Sequence, residues 1–130
     1  MQSANNELPI LSIYGNDYPT RDGTCLRDFI HVMDLAKVHL LCLQHTFKEN
    51  ISVLNVGTGS PTSVMEMIET FQRAKQVKVN YKFSDRRAGD IDISYADNAK
   101  IKKILNWTPE YSIEDMCIHS WNYIKTNTKK

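Results

Sequence analysis

The chain has 130 residues and a formal net charge of +1, a size that fits one domain. Its near-neutral balance argues against a general nucleic-acid-binding surface, which needs a clustered basic excess. No apolar run approaches the ~18 residues of a membrane span, and the polar start does not resemble a signal peptide. Three widely spaced cysteines suggest free thiols in a reducing compartment. We therefore expect a cytoplasmic protein that binds neither nucleic acid nor a membrane.

Strands and helices are predicted to alternate along the chain, because apolar runs and period-two stretches are interleaved with helical periodicities. Strands are predicted over residues 9–14, 29–32, 51–56 and 79–83. Helices are predicted over residues 34–47 and from Val64, Asp97 and Ile113. This order favours an α/β fold with some parallel strand pairing.

Four of the helix starts carry capping signals, and one of them is Asp97, which is predicted to cap the short helix that carries Ile101 and Leu105. Ser63 and Glu66 form the S-x-x-E pattern in which two side chains satisfy two free backbone donors reciprocally. Ser112 and Asp115 form a similar pair before the last helix. Asp34 is predicted to cap the first helix, because a carboxylate accepts from the free N–H groups of a helix start.

The most irregular stretch is GNDYPTRDGTCLRDFIHVMDLA, from Gly15 to Ala36. Its first half is rich in residues that hold turns through side-chain bonds, a fixed φ or a positive φ. The loop leads to Arg27 at the entry of a predicted strand. Because guanidinium groups pair well with phosphates and carboxylates, we expect an anion site at Arg27.

Gly57-Thr58-Gly59 lies between a predicted strand and a helix, as a dinucleotide-binding turn does. The third glycine of G-x-G-x-x-G would fall at Thr62, and repeated βαβ units are lacking. A tight strand-to-helix turn is therefore the favoured interpretation. A secondary role remains open, because the helix N-terminus near Val64 is electropositive and could face a ligand.

The segment Arg86-Arg87-Ala88-Gly89-Asp90 is a second candidate for anion binding. Arginine suits bidentate phosphate contact, and a nearby aspartate can accept from sugar hydroxyls. Taken alone, the segment fits a surface salt-bridge cluster equally well. Paired with Arg27, it would form a clamp for a diphosphate.

No metal site is expected, because the four histidines show no H-x-x-x-H spacing and the cysteines no C-x-x-C. The sequence also contains no G-x-S-x-G motif, which is one signature of Ser/His/Asp catalysis.

Several motifs together resemble the UDP-glucose 4-epimerases, which are extended short-chain dehydrogenase/reductase proteins. Besides the loop described above, they are LNVGTG (54–59), SVMEMI (63–68), RRAGD (86–90), YADNAKI (95–101) and LNWTP (105–109). The resemblance runs from about Leu11 to Tyr123. It implies the C-terminal part of an extended Rossmann-type fold, including its small α/β substrate domain. Residues 1–58 would be the tail of the dinucleotide-binding domain, and residues 59–130 the nucleotide-sugar domain.

The resemblance also implies roles for individual residues toward a UDP-sugar. Arg27 and Arg87 match the family's pair of arginines on the pyrophosphate, and Asp90 matches the acid that contacts the uridine ribose. Ser12 and Tyr14 match the strand segment that lines the uracil pocket.

Three further positions follow from the same resemblance. Val64 matches a packing contact to the nucleotide. Phe29 stands where some members have tyrosine, so a hydroxyl contact is lost while the ring remains. Ser94 stands where some members place tyrosine against the hexose, so the pocket would be wider by about one phenol ring. N-acetylated UDP-hexoses should then be accepted beside UDP-glucose and UDP-galactose.

The family's chemistry needs a glycine-rich turn for NAD and a Y-x-x-x-K pair, and this sequence contains neither. We therefore expect the chain to be the UDP-sugar-binding part of an NAD-dependent epimerase, inactive alone, from a family whose members are often homodimers. The alternatives are a non-catalytic UDP-sugar-binding module and another nucleotide-sugar epimerase or dehydratase. The long loop before Arg27 weighs against a dehydratase, whereas nothing separates hexose from pentose substrates. Helix 34–47 and strands 10–14 and 51–56 should expose apolar surface in the isolated chain.

Overall fold

Five strands and four helices are present along residues 10–127, the part of the chain that the computed structural model describes. They are β1 (Leu11–Tyr14), β2 (Leu26–Arg27), α1 (Val32–Gln44), β3 (Thr62–Ser63), α2 (Val64–Lys75), β4 (Tyr81–Ser84), β5 (Ile93–Ser94), α3 (Ala99–Leu105) and α4 (Ile113–Asn127). The predicted α/β class is confirmed. The helices lie close to their predicted places, whereas the strands differ more.

The strands form two small sheets. In the first, β1 and β4 pair in parallel, with Leu11 opposite Tyr81. In the second, β2 lies between β3 and β5, antiparallel to β3 and parallel to β5. Arg27 is opposite Ser94 in this sheet. The predicted parallel pairing is therefore present, and it brings the predicted anion loop beside the segment after RRAGD.

Two buried apolar clusters hold the elements together. The first joins β1 with α2 and α4, and its buried members are Ile13, Ile68, Phe71, Val79, Cys117 and Trp121. The second joins α1 with α3 and the residues after it, and its buried members are Val38, Ile101 and Trp107. Leu54 and Val56 pack against the second cluster. Each cluster combines residues from both sides of position 58, and the division of the chain into 1–58 and 59–130 stays a prediction.

Both capping pairs are confirmed. The Ser63 hydroxyl accepts from the Glu66 N–H at 3.0 Å, and the Glu66 carboxylate accepts from the Ser63 N–H at 2.9 Å. The Ser112 hydroxyl accepts from the Asp115 N–H at 3.1 Å, and the Asp115 carboxylate accepts from the Ser112 N–H at 2.9 Å. These local patterns are short enough to act before any tertiary contact forms.

The predicted cap of α1 is wrong. His31 is the N-cap, and its Nδ1 accepts from the Met33 N–H at 3.0 Å. Asp34 is fully buried and accepts instead from the N–H groups of Glu110 and Tyr111, both at 3.1 Å. The carboxylate therefore joins the first turn of α1 to the chain before α4, a contact of long sequence separation.

Three predicted strands differ from the structure. No strand is present at 29–32: β2 spans Leu26–Arg27, and helix α1 already begins at Val32. Residues 51–56 are apolar but belong to no strand, since none of the strands within residues 10–127 pairs with them. The strand expected at 79–83 begins only at Tyr81, and Val79 is buried before it.

Within residues 10–127, no helix is both long and apolar enough to cross a bilayer.

The exposed apolar side chains of α1 and of residues 51–53 predict binding of a hydrophobic dye by the isolated chain. Leu43 is 84% exposed and Leu40 is 59% exposed. Replacing both by glutamine should lower dye fluorescence and leave the free energy of unfolding nearly unchanged, because glutamine is a good helix former. Dye fluorescence and urea unfolding of both proteins measure this. A monodisperse wild-type chain that binds no dye would contradict it.

Candidate functional site

Asp90 lies between the two arginines that the sequence predicts for an anion site. The Arg87 Nε donates to Asp90 Oδ2 at 3.0 Å, and the Arg27 Nη2 lies 3.8 Å from Asp90 Oδ1. The two guanidinium groups come from segments 60 residues apart in the chain, and they meet at a single carboxylate. Asp90 is thus shared by two guanidinium groups, each of a kind that pairs well with an anion.

Backbone carbonyls hold Arg27 in place. Its Nη1 donates to Leu26 O at 2.9 Å, and its Nη2 donates to Ile91 O at 2.8 Å. The pairing of β2 with β5 places Ile91 there. The side chain is only 28% exposed, so Arg27 offers its charge from a fixed position.

Arg87 is freer, with its side chain 61% exposed. Its guanidinium lies over the Tyr14 ring, 4.7 Å from the centroid. The hydrogen bond to Asp90, and then the charge of that carboxylate, raise the pKa of Arg87. Ser12 lies two residues before Tyr14 on β1 and therefore on the same strand face. The predicted uracil-lining pair thus shares a face, and its Tyr14 contacts Arg87.

Arg86 has a different partner from its neighbour, which the sequence did not reveal. Its Nε donates to Asp17 Oδ1 at 2.7 Å and its Nη2 to Asp17 O at 2.6 Å. Its guanidinium also stacks over Tyr18, 4.0 Å from the ring centroid. Arg86 therefore joins the loop after β1 to the segment that carries Arg87.

The loop after β1 is closed by Asp22. Its Oδ1 accepts from the Thr24 N–H at 2.9 Å and from the Thr24 hydroxyl at 2.7 Å, and its Oδ2 accepts from the Ser63 hydroxyl. Burial alone would raise the pKa of Asp22, but these hydrogen bonds outweigh it and lower the pKa. Gly23 has φ +78°, and a Cβ there would lie 2.2 Å from Asn16 O. Only glycine fits this turn.

A cavity of about 470 Å³ opens beside Arg27. Residues 54–56 form one wall, residues 94–96 form the other, and Arg27 and Asp28 lie between them. Ser94 is part of this lining because β5 places it opposite Arg27. The cavity therefore adjoins the arginine pair and contains the position that the resemblance assigns to the hexose.

Asp28 is the residue of this site that sequence reasoning missed. Its Oδ1 accepts from the Thr58 N–H at 2.8 Å and from the Thr58 hydroxyl. Its Oδ2 accepts from the Gly59 N–H at 3.0 Å and the Ala96 N–H at 3.1 Å. Burial raises its pKa, but these four donors outweigh burial and lower the pKa overall. The only sequence feature that points to Asp28 is its position directly after Arg27, a candidate anion-binding residue.

The Gly57–Gly59 turn is built around Asp28. A Cβ at Gly57 would lie 2.3 Å from Asp28 Oδ2 and 2.7 Å from the Ala96 Cβ, so this glycine is required for close approach. The Thr58 and Gly59 N–H groups already donate to a carboxylate, which would also repel a phosphate. The turn does not fit the diphosphate of NAD, and the tight-turn interpretation agrees with this geometry.

The backbone N–H groups at the helix start near Val64 also donate to acceptors within the protein. The Val64 N–H donates to Cys25 O at 3.1 Å, and the Met65 N–H donates to the Thr24 hydroxyl at 3.3 Å. Val64 itself packs against the first cluster. Phe29 lies half-buried between β2 and α1. Their predicted roles toward a nucleotide stay predictions, and so do those of the other assigned residues.

Among residues 10–127, no group of three His, Cys, Asp or Glu side chains is placed to hold a metal ion.

Comparison with known proteins shows the family. Residues 1–119 match the family described as GDP-mannose 4,6 dehydratase. The chain belongs to this family.

Three similar proteins narrow the relationship within it. A bifunctional UDP-glucose and UDP-xylose 4-epimerase of Pisum sativum is 46% identical over 129 residues. The structure of UDP-glucose 4-epimerase from Bifidobacterium longum in complex with NAD+ and UDP is 42% identical, with a TM-score of 0.93. That of the UDP-Glc/GlcNAc 4-epimerase from Campylobacter jejuni is 36% identical, with a TM-score of 0.85. The resemblance to UDP-glucose 4-epimerases is thereby confirmed.

The match covers nearly the whole of this chain but a minor part of those proteins. It spans 97% of this chain and 37% of the Pisum sativum protein, and 98% of this chain and 38% of the Bifidobacterium longum chain. The chain therefore corresponds to a little over a third of the length of these family members.

The lowered pKa values of Asp22 and Asp28 predict acid sensitivity of the fold. A carboxyl whose folded pKa lies below its ordinary 3.8 stabilises the fold above that pH, and the contribution is lost as the pH falls through the folded pKa. The free energy of unfolding should therefore decrease below about pH 3.8. The Asp28→Asn variant should show a shallower decrease, measured by urea unfolding at stepped pH. An identical slope in both proteins would contradict this.

Proposed function

We propose that this chain is the UDP-sugar-binding part of a UDP-glucose 4-epimerase. The observation that carries the proposal is the convergence of Arg27 and Arg87 on Asp90 beside the cavity that contains Ser94. The Bifidobacterium longum relative bound to UDP supports the nucleotide. The reaction of the whole protein would interconvert UDP-glucose and UDP-galactose.

In this proposal the diphosphate lies between the two arginines. Arg27 supplies charge from its fixed position, and Arg87 turns from Asp90 toward the phosphates, which its exposure permits. A guanidinium bound to phosphate forms short, charge-assisted hydrogen bonds, comparable to those it gives up. Asp90 is then released to accept from the ribose hydroxyls. Tyr14 and Ser12 lie on the β1 face next to Arg87, on the side where the uracil would bind.

The sugar would enter the cavity next to Arg27. The walls at 54–56 and 94–96 supply both apolar and polar groups, and Ser94 leaves room at the position opposite Arg27. UDP-xylose and N-acetylglucosamine epimerases are among the relatives, so differing sugars are compatible with this fold.

NAD would supply the oxidation and reduction at C4 of the sugar. The Gly57–Gly59 turn does not fit it, and the sequence contains no Y-x-x-x-K pair, so we assign its binding and the proton transfer to the part of the relatives that has no counterpart here. The role of this chain is to bind and orient the nucleotide-sugar. A dehydratase remains the alternative that the family description favours. Without the remaining part, the chain would act as a binding module and be inactive in epimerisation.

The arginine pair predicts the effect of two substitutions on UDP affinity. Arg27→Ala and Arg87→Ala should each raise the Kd for UDP at least about tenfold, which corresponds to ~1.4 kcal/mol, because each removes a charge-assisted phosphate contact. Isothermal titration calorimetry of the 130-residue chain with UDP measures this.

Arg73→Ala is the matched control, because Arg73 is exposed on α2 and its guanidinium contacts only the Thr70 side chain among the described hydrogen bonds. It should leave the Kd for UDP unchanged. The proposed function would be contradicted if the wild-type chain did not bind UDP, or if the Arg27→Ala and Arg87→Ala variants bound UDP as tightly as Arg73→Ala.

The small side chain of Ser94 predicts tolerance of a bulky sugar. UDP-N-acetylglucosamine should bind about as tightly as UDP-glucose, and Ser94→Tyr should weaken only the former, by roughly tenfold, because the ring fills the space for the acetyl group. Calorimetry with both ligands and both proteins gives the four affinities. A protein that combines this segment with the NAD-binding part of the relatives should also turn over the N-acetylated sugar, and no turnover would contradict the prediction.

A further inference from the structure

The carboxylate of Asp28 bonds to both walls of the cavity beside Arg27. Through Thr58 and Gly59 it holds the chain directly after the wall at 54–56. Through the Ala96 N–H at 3.1 Å it holds the wall at 94–96. One side chain with two oxygens therefore links the two walls.

A second contact joins the same two walls. The Asn98 Nδ2 donates to Gly57 O at 2.6 Å. Gly57 lies against Asp28, since a Cβ there would be 2.3 Å from Asp28 Oδ2, so the Asn98 bond supports the same junction as the Asp28 carboxylate. Of these two side chains, Asp28 and not Asn98 belongs to the cavity lining beside Arg27.

We infer that Asp28 is a positioning residue that sets the width of the sugar cavity and thereby the contribution of the sugar to binding. The inference rests on the proposed function. Asp28 directs its oxygens at backbone and hydroxyl donors, so it acts through the walls at 54–56 and 94–96 and leaves the diphosphate to the arginines. Since Arg27 is held by Leu26 O and Ile91 O, its position does not depend on Asp28.

The Asp28→Asn variant tests this positioning role with almost no change in side-chain volume. Its single carbonyl oxygen can serve one side of the network, and its NH₂ group then faces donors on the other. If the NH₂ faces Gly59 and Ala96, two N–H groups lose their acceptor. If it faces Thr58, the hydroxyl can turn to accept, but the Thr58 N–H cannot. The first orientation releases the wall at 94–96, whereas the second leaves Gly59 and Ala96 bonded and removes the Thr58 N–H bond next to the wall at 54–56.

The experiment compares UDP with UDP-glucose on the 130-residue chain by calorimetry. Asp28→Asn should leave the Kd for UDP within about threefold of the wild-type value and raise the Kd for UDP-glucose by roughly tenfold or more. Glu69→Gln, the matched control, removes one negative charge from an exposed position on α2 and should alter neither affinity. Amide hydrogen exchange provides a second readout: Thr58, Gly59 or Ala96 should lose protection while the Gly15 N–H, bonded to Ser84 O, keeps it.

Each outcome decides a different question. If Asp28→Asn weakens both ligands equally, or neither, the positioning role is wrong while the proposed function stands. If the wild-type chain binds UDP no less tightly than UDP-glucose, the sugar does not use this cavity and the inference fails. If the wild-type chain binds neither ligand, the proposed function fails, and this inference with it. Should Asp28→Asn not fold, Thr58→Val removes only the hydroxyl donor and should change the ratio of the two affinities in the same direction, less strongly.

Discussion

The pairing of the two-residue strand β2 with β5 is the contact on which the candidate site depends. Leu26 and Arg27 are opposite Ile93 and Ser94, and this register brings the loop after β1 beside the segment after RRAGD. Arg27 then reaches Ile91 O and comes within 3.8 Å of Asp90. So short a ladder contributes little by itself. It persists because β3 pairs on the other side and because buried side chains hold the flanking segments.

Aspartate carboxylates do much of this holding. Asp22, Asp28 and Asp34 each accept hydrogen bonds from chain segments 30 or more residues away. An ionised carboxylate has several acceptor sites, so one side chain can satisfy the backbone donors that irregular segments leave unpaired. This is an economical arrangement for a chain whose strands are short. It explains why aspartates, which the sequence shows as turn and cap residues, determine the tertiary contacts.

Local patterns were the most predictable part of the molecule. Ser63 with Glu66 and Ser112 with Asp115 were identified as capping pairs because their partners lie three residues apart. Asp34 was misassigned for the opposite reason: its partners, Glu110 and Tyr111, are more than 70 residues away. The prediction of a strand at 51–56 is wrong for a similar reason, because it depends on distant segments. Its apolar pattern is present, but a strand also needs a neighbour, and the described strands pair elsewhere.

The α/β class, the helix starts at Ser63 and Ser112, and the candidacy of Arg27 and the Arg86-Arg87 segment for anion binding all follow from the residue pattern. Only the tertiary structure separated the roles of the adjacent Arg86 and Arg87, because neighbouring residues differ in which distant segment they meet. Only it revealed Asp28 between the two cavity walls. Helix periodicity and caps are local properties of a chain, whereas the meeting of Thr58, Ala96 and Asp28 exists only after folding.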